Sequence, residues 1–122
     1  MSAKATVRKA GRVTIVDLAG RIVLGDGSGV VRETIKNLVA SGQKEILLNL
    51  RDVTYLDSAG LGEIVGAFAT VTNQGGDVRL LHTQGKVKDL LTITKLYTVF
   101  RAYDSEATAL DAMSAGAGTA TA

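Results

Sequence analysis

The sequence predicts a single α/β domain with a mixed, mostly parallel sheet of four to five strands packed with about four helices and edged by an N-terminal β-hairpin. Three observations predict it. Short apolar runs alternate with one-sided apolar stripes of helical spacing, which is the signature of β-α units around a parallel sheet. The run Ile46-Leu47-Leu48-Asn49-Leu50 is almost continuously apolar, as a strand covered on both faces must be. And 122 residues suffice for one hydrophobic core but not for two.

The elements follow in order. Thr6-Val7-Arg8 and Val13 to Leu18 are β-rich and are joined through Lys9-Ala10-Gly11 as a hairpin, with Gly20 ending the second strand. Gly25-Asp26-Gly27-Ser28-Gly29 is a loop in which Asp26 or Ser28 is available as a helix N-cap. Val31, Ile35, Leu38 and Val39 then form one stripe, and Gly42 stands where a helix end calls for a left-handed residue. Glu45 to Leu50 is the central strand, and Arg51 to Ser58 is the turn beyond its carboxyl end. A second helix spans about Ser58 to Thr72, with Leu61, Ile64, Val65, Phe68 and Val71 on one face, until Asn73-Gln74-Gly75-Gly76-Asp77 breaks it. Val78 to Leu81 is a strand, Val87, Leu90 and Leu91 mark a third helix, Val99 to Tyr103 a last strand, and Ser105 to Met113 a last helix. Residues 1–113 thus form the domain. The Ala/Gly/Thr-only end from Ala115 places residues 114–122 in a disordered tail.

Composition narrows the function. Aromatic residues make up only 4%, so Val, Ile, Leu and Ala must build the core. The absence of cysteine removes disulfides, thiolate metal sites and cysteine nucleophiles together, and it fits a reducing, cytoplasmic setting. A net charge of +2 with scattered cations, of which only Lys86, Lys88 and Lys95 approach a cluster around Asp89, lacks the basic stripe that nucleic acid requires. No apolar run reaches the roughly 20 residues of a membrane span, so no membrane insertion is expected.

In parallel sheets, sites collect beyond the carboxyl ends of the strands. That directs attention to Tyr55-Leu56-Asp57-Ser58-Ala59-Gly60-Leu61-Gly62. Asp57 and Ser58 are both good N-caps, and a cap alone would account for them. Gly60, Gly62 and Gly66, however, each cost on the order of 1 kcal/mol relative to alanine in a helix. Small residues there would leave a flat surface on which a partner's backbone could settle. A hydroxyl at the helix start also suits a phosphate, because free N–H groups and the helix dipole favour an anion. Beside Asp57, such a phosphate would oppose docking and leave the fold intact.

The run Asp57-Ser58-Ala59-Gly60-Leu61-Gly62, after Ile46 to Leu50 and before Gly75-Gly76, resembles the STAS domain of bacterial anti-sigma factor antagonists, and the likeness in element order covers roughly Ala5 to Met113. The resemblance implies a non-enzymatic protein that binds an anti-sigma factor with serine kinase activity (an ATPase of histidine-kinase-like fold) and so frees a sigma factor. It implies that phosphorylation of Ser58 switches binding off and that a phosphatase restores it. Partner contacts are then expected at Asp57, Ser58, Ala59, Gly60, Leu61, Gly62 and Asp26, with no cofactor and no metal. One departure stands out. Family members often read Gly-Glu-Leu-Asp after the second strand, with acidic residues that help to engage the kinase, whereas this chain reads Gly20-Arg21-Ile22-Val23.

Other readings are weaker. A serine hydrolase needs a base near Ser58, and His82 is the only histidine, while the Gly-x-Ser-x-Gly elbow is absent. Gly60-x-Gly62-x-x-x-Gly66 misplaces the third glycine of a dinucleotide fingerprint, and Gly85-Lys86 is followed by Val87 instead of Ser or Thr. The main alternative is a STAS binding module without phospho-switching, acting as a scaffold in a signalling assembly or as a cytoplasmic subunit of a transport complex. The small residues on the Ser58 helix would serve a homodimer as readily as a heteromeric contact.

Overall fold

The structure, a computed structural model, describes residues 3–25 and 27–120, the last six as backbone only. Asp26 therefore lies outside the described residues, as do Ala122 and Thr121 at the end of the expected tail.

The chain runs β1 (Lys4–Ala10), β2 (Val13–Ile22), α1 (Ser28–Ala40), β3 (Glu45–Leu56), α2 (Ser58–Asn73), β4 (Asp77–Leu81), α3 (Gly85–Ile93), a 3-10 turn (Leu96–Thr98), β5 (Ala102–Tyr103) and α4 (Glu106–Ala120). The strands lie in sequence order in one sheet; β1 and β2 are antiparallel and every later pairing is parallel. Each crossover therefore steps the same way across the sheet. Right-handed crossovers then put α1, α2 and α3 on one face. The buried clusters agree: Val31, Ile35, Leu61, Ile64, Val71, Val87 and Leu91 pack on Val16, Leu18, Ile46, Leu48 and Leu80. The last helix closes the opposite face, where Ala109 and Met113 meet Val13, Ile15, Leu47 and Leu81. Successive residues of β3 thus enter different cores, which is why its first half is apolar throughout.

The end of α1 shows how local sequence shapes the fold. Gly42 adopts a φ of 84° just past the C-cap Ser41. Its N–H reaches the Val39 carbonyl at 3.0 Å and that of Gln43 reaches the Leu38 carbonyl at 2.9 Å, the paired bonds of a Schellman motif.

Five boundaries differ from the sequence reading. Strand β2 does not stop at Gly20; it continues to Ile22, with Gly20 (φ 90°) beside an irregularity in the pairing. Helix α1 is capped by Gly27, with no side-chain cap bond, and Ser28 is its first residue. The segment from Arg51, expected as a turn, is the second half of β3. It stays paired to β2 because two register shifts each let β3 skip one residue, between Asn49 and Asp52 and between Val53 and Tyr55. The last strand shrinks to Ala102–Tyr103, since Phe100 leaves the strand direction to bury itself edge-to-face on Phe68, with ring centroids 5.2 Å apart. And α4 runs through Ala120, seven residues past Met113.

Candidate functional site

The long β3 carries the Ser58 segment to the rim of the sheet, because β3 pairs with β4 only over Glu45 to Asn49 and with β2 all the way to Leu56. At the rim Ile22 and Leu56 are register partners, and both are buried. One residue later the chain turns into α2.

Asp57 makes that turn. Its backbone is extended, and its Oδ1 accepts a 2.8 Å bond from the Gly60 N–H. Its Oδ2 accepts a 3.1 Å bond from the Leu24 N–H, so one carboxylate caps α2 and also holds the loop that follows β2. The Gly60 bond and then the Leu24 bond hold the Asp57 carboxyl below the usual carboxylate range. Ser58 is the first helical residue and its side chain is exposed. The cap is thus Asp57 alone, and among the described residues no hydrogen bond engages the Ser58 hydroxyl.

Gly60 has a reason of its own. It is buried where α2 meets the end of β2, and a Cβ there would overlap the Ile22 carbonyl and stand 2.8 Å from Leu56 Cδ1. Its cost as a helix residue is the condition for α2 to start against the sheet. The glycines therefore do not act alike: Gly60 is interior, while Gly62 and Gly66 face open space on the exposed side of α2. Of the residues expected at a partner surface, Ser58 and Gly62 are exposed, Asp57 and Ala59 half-buried, and Gly60 and Leu61 buried.

The structure gathers further residues at this rim. Leu24, held by Asp57, is 78% exposed. Tyr55 presents its ring at the rim between two cations, with Arg21 5.3 Å and Lys86 5.7 Å from the ring centroid. Arg21 is the register partner of Tyr55 on β2, whereas Val23 is buried. Only the pairing of β2 with β3 reveals this grouping, since 34 positions of sequence separate Arg21 from Tyr55. On the exposed flank, Arg32 of α1 pairs with Glu63 of α2 at 2.7 Å.

His82 is not at this site. Its neighbour Leu81 pairs with Asn49, so His82 is level with the middle of β3. On β2 that level is four residues before Ile22, so at about 3.3 Å per residue His82 stands roughly 13 Å short of the rim. Its N–H bonds the Tyr103 carbonyl at 2.8 Å. Among the described residues no cluster of three or more His, Cys, Asp or Glu side chains could hold a metal ion, and no helix is long and apolar enough to cross a membrane.

The STAS domain family model matches residues 4–109, and the chain belongs to that family. It is similar to the anti-sigma F factor antagonist of Paenibacillus polymyxa, with 31% identity covering 80% of this chain and 84% of that protein. It is also similar to the anti-sigma-B factor antagonist of Bacillus subtilis, with 37% identity covering 66% and 72% of the two chains. The crystal structure of an anti-sigma factor antagonist from Mycobacterium paratuberculosis shares the fold at a TM-score of 0.81, with 20% identity over 92% of this chain and 94% of that one.

Proposed function

We propose that this protein is an anti-sigma factor antagonist: it binds an anti-sigma factor that is also a serine kinase, and phosphorylation of Ser58 breaks the complex. The observation that carries the reading is the division of labour at the start of α2. Because Asp57 supplies the cap, the Ser58 hydroxyl is exposed and free to be modified at a helix N-terminus. The relatives named as anti-sigma factor antagonists support the same reading.

The chemistry follows from the position. A phosphate on Ser58 would bring a charge of roughly −1.5 to −2. The free N–H groups at the start of the 16-residue α2 and its dipole would accommodate it. No buried group has to move. The phosphate would nonetheless stand beside the Asp57 carboxylate and one helical turn from Gly62, where a partner would otherwise lose water against a flat surface. Charge and desolvation then oppose docking, and a phosphatase would reverse the block.

The test is direct. Incubation with ATP and the histidine-kinase-like ATPase encoded nearest to this gene should add one phosphate by intact mass, and Ser58→Ala should abolish it. An active kinase that binds the protein and leaves its mass unchanged would favour a constitutive binding module instead.

A further inference from the structure

The rim holds two cations that, among the described residues, no carboxylate engages. The ion pairs among the described residues engage Arg8, Arg32 and Arg79. Arg21 and Lys86 are exposed, and among the described residues neither has a carboxylate within 4.0 Å. Both instead lie against one tyrosine ring, from β2 on one side and from the first turn of α3 on the other.

Two acids of the described residues near the rim are otherwise placed. The Asp57 oxygens are turned to the Gly60 and Leu24 N–H groups. Asp89 lines the same hollow as Tyr55, Lys86, Leu90 and Ile93 without closing on Lys86. Around the cations stand two of the most exposed large apolar side chains, Leu24 at 78% and Ile93 at 77%.

We propose that Arg21, Tyr55 and Lys86 form a carboxylate-reading patch, and that the partner protein sets an acidic side chain against it while covering Leu24 and Ile93. This rests on the partner-binding reading above and adds the chemistry of the partner. Stacking on Tyr55 restrains two long side chains before binding, so less rotamer entropy is lost when a carboxylate arrives. The patch also strengthens the switch: a phosphate three residues beyond Tyr55 would offset the two positive charges that draw the partner in.

Calorimetric titration with the ATPase that phosphorylates Ser58, at about 50 and 300 mM NaCl, tests the patch. The Arg21→Gln/Lys86→Gln variant should bind more weakly than the parent at low salt and lose most of the salt dependence, and Arg21→Glu/Lys86→Glu should bind about 30-fold more weakly than the parent and gain affinity as salt rises. Melting temperatures should stay near the parent value, because all three side chains are on the surface. A dissociation constant that charge reversal leaves unchanged would overturn the patch, while Ser58 phosphorylation by the same ATPase would leave the switch standing. A parent protein that neither binds that ATPase nor is phosphorylated by it would remove both.

Discussion

The two faces of the β2–β3 sheet are held by different means. At the Ser58 rim, the contacts that fix α2 are largely to backbone: Gly60 against the Ile22 carbonyl, and Asp57 to the N–H groups of Gly60 and Leu24. On the opposite face, side chains hold α4. Arg8 reaches Asp17 at 2.7 Å and Glu106 at 2.6 Å, above a small apolar cluster around Met113. A site built on backbone contacts leaves its own exposed side chains free, so Ser58 can change charge without releasing the helix behind it. On the α4 face the polar side chains are instead engaged with one another.

The contrast breaks most sharply at Gly60. Adding a single methyl in Gly60→Ala drives it into a main-chain carbonyl that cannot step aside, and the loss should be about 3 kcal/mol or more, read as a shift of the urea midpoint. Gly62→Ala, in open space on the same helix, should be neutral or stabilising. Equal effects from the two substitutions would mean that α2 does not depend on its approach to Ile22.

Asp57 comes next. Asp57→Ala should lower the melting temperature and loosen the loop at Leu24, measured by faster amide exchange there. Asp57→Asn should restore much of the melting temperature but not the loop, since its one amide oxygen can accept from the Gly60 N–H while its NH2 group cannot accept from Leu24. Full recovery of the loop as well would mean that the Leu24 bond does not hold it.

The smallest effect belongs to the more conspicuous interaction. Arg8 is 41% exposed in its side chain, and such pairs contribute within about 1 kcal/mol, so Arg8→Ala should barely move the urea midpoint. Acid should act on both regions together. The Asp17 and Glu106 carboxyls are held low chiefly by their bonds to Arg8, and Asp57 by backbone N–H groups. A carboxyl lowered on folding contributes stability that is complete above its unfolded value, near pH 4, and that fades as pH falls through the folded value. Denaturant midpoints should therefore be flat from about pH 7 to 5 and fall below about pH 4.

Much of this was legible in the sequence, because apolar periodicity and the apolar run of β3 record directly which faces are buried. The serine at the turn was equally legible from the Asp57-Ser58 pair before a glycine-bearing helix. What sequence could not supply was the register. The two shifts that extend β3 to Leu56 arise from pairing with β2, and they decide that Arg21 meets Tyr55 and that His82 stands well below the rim. Gly60 and Gly62 read alike in one dimension, and only the proximity of Ile22 separates them. Phe100 likewise lies outside its expected strand, buried with its ring edge-to-face on Phe68.

Ser58→Asp tests the central claim most directly, with melting temperature and affinity for the ATPase measured on the same samples. The account predicts a melting temperature within about 2 °C of the parent and loss of the complex. A parallel fall in both would contradict it, and would make Ser58 a structural part of the cap that Asp57 is assigned here.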